Sequence, residues 1–130
     1  MSEHSISLTQ AEWSVMECLW ESGSLTGREV VQQMEKRCGW SRSTTLTLLG
    51  RLEHKGAVES VVPEKGPKVF SPLLGREEAA LEETKDFLHR VYQGSLSLMV
   101  SSLTQKQALS RKELDELYEL LKGLEEERHD

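Results

Sequence analysis

Hydroxyl and guanidinium groups recur at helical spacing within residues 40–56. On a helix, one side of this segment would carry Ser43, Thr47, Gly50, Arg51 and His54, with no acidic residue among them. The opposite side would carry Thr45, Leu48, Leu49 and Leu52. Serine and threonine can hydrogen-bond base edges or phosphates, and arginine can pair with a guanine edge or a phosphate. The residues therefore suit a helix that docks in a major groove, although a solvated surface helix would show the same pattern.

The elements around this helix would hold it in place. Ser41 is a suitable N-cap, and Gly56 can adopt the left-handed conformation that ends a helix. Behind it, residues 58–62 and 69–70 are rich in β-branched and aromatic residues, and residues 63–67 form a proline- and glycine-containing turn. This predicts a hairpin whose tip carries Lys65 and Lys68. The two lysines could bind phosphates or a minor groove, or the hairpin could be a plain surface feature.

Two more helices precede the polar one. Thr9 with Glu12 and Thr26 with Glu29 each form a capping-box pattern, and the helices should end at Gly23 and Gly39. The inward stripe of the second helix would consist of Val30, Val31, Met34 and Cys38. Trp13, Trp20 and Trp40 are predicted to pack in the core and between helices. Three short helices followed by a hairpin are typical of a winged helix-turn-helix domain.

Charge is distributed unevenly along the chain, which has 130 residues and a formal net charge of −6 at pH 7. Residues 1–72 carry eight basic and nine acidic side chains, a net of −1, whereas residues 73–130 carry eight and thirteen, a net of −5. Residues 36–55 carry five basic side chains and one acidic, a local net of +4. Because the local field governs docking, the overall acidity does not exclude a nucleic-acid partner.

The C-terminal part should be helical and should pair with a second copy. Residues 76–92 and a third capping box at Ser110 and Glu113 predict two helices, and residues 96–103 fit a short helix or a strand. Each of these segments has an apolar stripe, and three such stripes cannot easily be buried within one chain. We therefore expect a two-fold dimer in which a second copy covers them. The alternative burial partner is the chain's own winged domain. The predicted interface residues are Leu88, Leu96, Met99, Val100, Leu103, Leu114, Leu117, Leu121 and Leu124. Residues 125–130 should be a solvated end.

The expected fold is therefore mainly α with a small β-hairpin wing. Residues 1–73 would form a winged helix-turn-helix DNA-binding domain, and residues 74–130 a helical dimerisation domain. The sequence has no run of eighteen apolar residues, which is the length that could span a membrane. Its first eight residues lack the layout of a signal peptide. We expect a cytoplasmic protein whose Cys18 and Cys38 stay reduced, with a functional redox pair as the alternative.

Catalytic and metal chemistry find no support in the residue patterns. The sequence has no glycine-rich phosphate loop and no nucleophile elbow. The histidines at positions 4, 54, 89 and 129 are scattered, and Asp86 and His89, three residues apart, have no evident third ligand. We therefore expect no enzyme, no metal and no cofactor.

Several stretches together resemble the BlaI/MecI/CopY family of bacterial winged-helix repressors. They are LTQAEWSVMECLW at 8–20, GREVVQQM at 27–34, WSRSTTLTLLGRLEHKGAV at 40–58, FSPL at 70–73, REE at 76–78, GSLSLMVSSL at 94–103 and LSRKELDELYELL at 109–121. The resemblance implies a homodimeric repressor that binds a palindromic operator through its winged helix. By position, Ser43, Thr44 and Thr47 would face bases, and Arg51 would face the backbone. The full predicted DNA-binding set is Ser41, Arg42, Ser43, Thr44, Thr47, Arg51, Lys55, Lys65 and Lys68.

The chain also departs from the family pattern. Arg42 and Ser43 stand where penicillinase repressors tend to have a Pro-Lys pair, so the resemblance does not fix the operator preference. The copper-responsive branch has clustered C-terminal cysteines, whereas this chain has none after Cys38. In the β-lactam branch a membrane sensor-protease system leads to cleavage, which by position would fall near Ser102 and Leu103. A small-molecule-gated regulator and a protein-interaction module that never touches DNA are the other two hypotheses.

Overall fold

Six α-helices and three short β-strands make up residues 6–127, the part of the chain that the computed structural model describes. In order, they are α1 Gln10–Ser22, β1 Leu25–Thr26, α2 Gly27–Cys38, α3 Arg42–Lys55, β2 Val58–Val61, β3 Val69–Pro72, α4 Arg76–Tyr92, α5 Leu96–Gln105 and α6 Arg111–Glu127. The expected fold class, mainly helical with a small wing, is confirmed. The chain divides into two compact units, Met1–Asp86 and Phe87–Asp130. Because the boundary between the two units falls within α4, a functional division after Leu73 stays a prediction.

The helix ends follow the capping chemistry of the sequence. In α1 the Glu12 amide donates to Thr9 Oγ1 at 3.1 Å, and the Thr9 amide donates to Glu12 Oε1 at 2.8 Å. The same reciprocal pair starts α2 at Thr26 and Glu29 and also precedes α6 at Ser110 and Glu113. Gly39 and Gly56 close α2 and α3 with φ values of 71° and 84°. Each pair satisfies backbone amides that would otherwise lack a partner, which fixes where these helices begin.

The wing is part of a three-stranded antiparallel sheet in the order β1-β3-β2. Val58 pairs with Pro72 and Val61 with Val69, as a hairpin requires. On the other edge of β3, Leu25 pairs with Phe70 and Thr26 with Val69. The sequence did not predict β1, because a two-residue strand has no periodicity. This strand ties the start of α2 directly to the wing.

The core of the N-terminal unit lies between α1, α2, α3 and the sheet. Its largest fully buried apolar side chains are Met16, Leu19, Met34, Leu49, Leu52, Val15, Val30 and Val58. The predicted inward residues of α3, from Thr45 to Leu52, are all buried. The prediction that Cys38 points inward is wrong, because Cys38 is exposed. The buried contacts of α2 end one turn earlier at Met34, and its last turn carries Lys36 and Arg37.

Two tryptophans and an arginine join α1 to the start of α4. The rings of Trp13 and Trp20 pack edge to face with centroids 5.1 Å apart. The Arg76 guanidinium lies 6.0 Å and 5.9 Å from these two rings, and Trp20 Nε1 donates to the Leu74 carbonyl at 2.8 Å. The tryptophans thus pack between helices, as predicted, and fix the first turn of α4 against α1.

The described part of the C-terminal unit consists of the end of α4, α5, α6 and the turns between them. Residues 96–103 lie within α5, so the helical interpretation of this segment is confirmed over the strand. Neither α5 nor α6 has a buried residue in the part of the chain that the structure describes. Large hydrophobic side chains are exposed on both helices, namely Leu96, Leu98, Tyr118, Leu120, Leu121 and Leu124. Of the predicted solvated end at 125–130, residues 128–130 lie outside the described residues.

A buried hydroxyl in α3 gives a stability prediction. Thr45 is 0% exposed, and its Oγ1 has no hydrogen-bond partner among residues 6–127. Thr45→Val keeps the shape and removes an unsatisfied polar group, so we expect the free energy of unfolding to rise by about 1 kcal/mol. Urea denaturation measures this. Thr47→Val, on the exposed side of the same helix, should change it by less than about 0.5 kcal/mol. A loss of stability in Thr45→Val would contradict this account of the hydroxyl.

Candidate nucleic-acid interface

The outer side of α3 forms a continuous polar surface. Ser43, Thr44, Thr47 and Arg51 are exposed, whereas Thr45, Leu48, Leu49 and Leu52 are buried. Ser43, Thr44, Thr47 and Arg51, together with part of Leu48, line a shallow depression on this side. The structure therefore brings four of the predicted DNA-binding residues together. They offer hydroxyl donors and acceptors beside one guanidinium, which is the chemistry that base edges and phosphates require.

Hydroxyl groups cluster where α3 begins. Ser41 Oγ accepts a hydrogen bond from the Thr44 amide at 3.2 Å and donates to Thr44 Oγ1 at 3.1 Å. Ser43 Oγ lies 3.3 Å from Ser41 Oγ. Ser41 and Thr44 are thus engaged in capping, so their hydroxyls are held in fixed positions. Thr47, one turn further along, has no such engagement among the described hydrogen bonds, which leaves its hydroxyl available for a partner.

The predicted cationic residues fall into two groups. Arg42, Arg51 and Lys65 form no ion pair within residues 6–127. Lys55 and Lys68, by contrast, bind carboxylates of this chain. Free guanidinium and ammonium groups can attract phosphates, so the first three carry the unneutralised positive charge of this surface.

Lys55 and Glu12 form a pair that the sequence did not reveal. Lys55 Nζ lies 2.5 Å from Glu12 Oε1 and donates to the Ser7 carbonyl at 2.8 Å. Glu12 is only 2% exposed. Burial alone would raise the pKa of the Glu12 carboxyl, but the hydrogen bonds from Lys55 and from the Thr9 amide together lower it below its usual value. The pair fastens the C-terminal end of α3 to the N-terminal end of α1.

The wing is fixed against the same end of α3 through Glu53. Ser60 Oγ donates to Glu53 Oε2 at 2.5 Å, and Lys68 Nζ lies 4.0 Å from Glu53 Oε1. Lys68 also lies over the ring of Phe70, with Nζ 5.4 Å from its centroid. The predicted tip lysine Lys65 is exposed in the turn between the strands. Within the described residues, the turn of the wing therefore carries one cation without an ion pair, Lys65.

The predicted interface residues of the C-terminal part are accessible to different degrees. Leu88, Met99, Val100, Leu103, Leu114 and Leu117 are half-buried, whereas Leu96, Leu121 and Leu124 are exposed. Ser102 and Leu103, the predicted cleavage position, lie inside α5, where the Ser102 carbonyl accepts from the Lys106 amide at 3.3 Å.

Cysteine and histidine residues form no site in the described part of the chain. Cys18 is a buried free thiol, and burial raises its pKa; Cys38 is free and exposed. Residues 6–127 contain no group of three or more His, Cys, Asp or Glu side chains that could hold a metal ion. His4 and His129 lie outside the described residues. None of the described helices is both long and apolar enough to cross a membrane.

Comparison with known proteins connects this architecture to a family. Residues 8–123 match the family model described as penicillinase repressor. The chain is 32% identical to the penicillinase repressor of Bacillus licheniformis, a match that covers 88% of each protein. It is 27% identical to the methicillin resistance regulatory protein MecI of Staphylococcus aureus, over 93% of this chain and 98% of that protein.

A solved structure supports the same relationship over part of the chain. The chain is similar to the monomeric form of Bacillus licheniformis BlaI in complex with the blaP half-operator, with a TM-score of 0.50 and 29% identity. That similarity covers 55% of this chain and 87% of that chain. The family resemblance found in the sequence is thus confirmed over nearly the whole chain. The chain belongs to the penicillinase repressor family, which consists of transcriptional repressors and not of enzymes.

Proposed function

We propose that this protein is a homodimeric repressor that binds a palindromic operator through α3 and the wing, and that it acts in the cytoplasm. The single observation that carries the proposal is the division of α3 into a fully buried apolar side and an exposed hydroxyl and guanidinium side. This supports insertion into a major groove, with Ser43, Thr44 and Thr47 facing bases. Arg42, Arg51 and Lys65 would contact the backbone, and Ser41, Lys55 and Lys68 would flank them.

Exposed leucines in the C-terminal unit support the dimer. Since α5 and α6 bury no side chain of their own, they need an apolar partner, and a second copy offers a complementary surface. Residues 74–130 would form this dimer, and residues 1–73 would bind DNA. Two recognition helices related by a two-fold axis would then reach half-sites about 10 bp, or a multiple of it, apart. A dimer bound to the operator would block transcription sterically.

Release of the operator would follow proteolysis near Ser102 and Leu103, downstream of a membrane sensor-protease system. This bond lies inside α5, so cleavage requires α5 to open locally first. In the single chain, α5 has ten residues and no fully buried side chain, so little would oppose such opening once the two copies separate. Intact protein in cells that have been fully induced with a β-lactam would contradict this step.

Two substitutions in α3 separate its predicted roles. Arg51→Ala should weaken binding to promoter and random duplexes alike, and should reduce the slope of log affinity against log salt by about one per protomer. Thr47→Val should lower the affinity for the promoter duplex about five- to tenfold and leave the affinity for the random duplex unchanged, because the base-facing hydroxyl is lost. Fluorescence anisotropy across a salt series measures both. An equal loss on both duplexes for Thr47→Val would show that Thr47 does not contact bases.

A further inference from the structure

One leucine borders the polar surface of α3. Leu46 is 38% exposed, whereas Leu48, Leu49 and Leu52 of the same helix are buried. It lies directly before Thr47 and one turn after Ser43, so it flanks the hydroxyl groups proposed to face bases. Next to these hydroxyl groups, an exposed apolar side chain can contact an apolar group on a base edge.

Leu46 lies beside the start of α2. A methyl group added to Gly27, at the start of α2, would lie 3.8 Å from Leu46 Cδ2 and 3.4 Å from Phe70 Cε1. Leu46 and Phe70 therefore both lie beside the first turn of α2, and 38% of the Leu46 surface is open.

Gly50 follows Leu46 by one turn and leaves this edge of the outer side bare. A Cβ built on Gly50 would meet no heavy atom of residues 6–127 within 4 Å, and its backbone is ordinary α-helix. Neither packing nor backbone conformation in this chain requires glycine there, although glycine makes a helix interior less stable than alanine would. A bare position of this kind suits the close approach of another molecule to the helix backbone.

These two positions point to a particular base. We propose that Leu46 contacts the C5-methyl group of a thymine, and that Gly50 lets α3 lie close enough to the base edges for this contact. The inference rests on the proposed binding of DNA. Thymine fits because its methyl group is the apolar group that the base pairs present in the major groove. Sequence preference at that base pair then comes from Leu46 as well as from the hydroxyls.

The thymine contact is tested with modified DNA. The probe is the promoter duplex that the wild-type protein protects, synthesised with uracil in place of one thymine at a time. At one position per half-site, loss of the methyl group should weaken wild-type binding about fourfold. The Leu46→Ala variant should bind the thymine duplex about as weakly as the wild-type protein binds the uracil duplex. It should also bind the thymine and uracil duplexes equally. Leu73→Ala, which also truncates an exposed leucine, should keep the full discrimination.

Three results would overturn the inference in distinguishable ways. Binding that ignores every uracil substitution, or discrimination that survives in Leu46→Ala, removes the thymine contact and leaves the DNA-binding function intact. No protection of promoter DNA by the wild-type protein would remove the proposed function and this inference together.

Gly50→Ala separates stability from binding. The substitution should raise the midpoint of thermal unfolding by about 2–4 °C, because alanine favours the helix. It should also weaken binding to the promoter duplex about tenfold, because the new methyl group holds α3 away from the bases. Gly123→Ala, at an equally open position in α6, should raise the midpoint without weakening binding. Unchanged affinity in Gly50→Ala would show that no close approach occurs at that position.

Discussion

Leu117→Asp should convert the dimer to a monomer and should lower the affinity for promoter DNA by about 10²- to 10⁴-fold. Leu117 lies in the stripe formed with Leu114, Leu121 and Leu124 along α6, and it is half-buried in the single chain. In the proposed dimer its side chain would be covered by the second copy, where an unpaired carboxylate is strongly unfavourable. Once the copies separate, each half-site binds alone, so the gain from simultaneous engagement is lost.

Sedimentation velocity and anisotropy measure the two parts of this prediction. Lys112→Asp places the same side chain on the opposite side of α6, so this variant should remain dimeric and bind tightly. Circular dichroism should show that both variants keep their helices. A Leu117→Asp protein that stays dimeric would show that the stripe is not the interface. A monomer that keeps full promoter affinity would show that dimerisation does not support binding.

Lys55→Met should lower the free energy of unfolding at pH 7 by about 2 kcal/mol. The substitution leaves the Glu12 carboxylate, which is 2% exposed, without its cation. The loss of stability is moderated because the Lys55 side chain is one-third accessible to water, which screens the ion pair. In the wild-type protein the pKa of Glu12 is lower in the folded state than in the unfolded state, where it has its ordinary value of 4.5. Its contribution is therefore complete above pH 4.5 and is lost as the pH falls through the folded value.

The pH dependence gives this prediction a distinct signature. Without Lys55 the buried carboxyl favours its protonated form, so the stability difference from wild type should shrink between pH 7 and pH 4. Lys55→Met combined with Glu12→Gln should recover much of the loss at pH 7, because glutamine can keep the capping hydrogen bond. Lys68→Met, which removes an exposed cation 4.0 Å from Glu53, should cost less than about 0.5 kcal/mol. A difference that does not change with pH would contradict the role given to the charge.

Local chemistry explains which parts of the fold could be predicted. Thr9 with Glu12, Thr26 with Glu29 and Ser110 with Glu113 are three residues apart, and each pair forms the reciprocal bonds that its spacing indicates. The inward side of α3 is likewise set by helical periodicity alone. These features depend on contacts within one or two turns, so a single sequence is enough to find them.

Contacts between distant segments could not be predicted in the same way. Glu12 and Lys55 are 43 residues apart, and strand β1 is recognisable only through its pairing with β3. Cys38 fits the apolar spacing of α2, but the core ends before the last turn reaches it. In the candidate site, α3 and its exposed hydroxyls follow from the sequence. The placement of Leu46 beside Gly27 required the tertiary structure, and the DNA-binding roles of all these residues stay predictions.

Binding of the full chain to duplex DNA from its own promoter region, beside a random duplex of equal length, tests the central claim most directly. Over a series of salt concentrations, we expect tight binding to the promoter duplex and much weaker binding to the random one. We also expect a log–log salt slope that corresponds to about six to ten phosphate contacts for the dimer. Weak binding that is equal on both duplexes would contradict operator recognition, and it would favour a winged-helix module that binds protein instead.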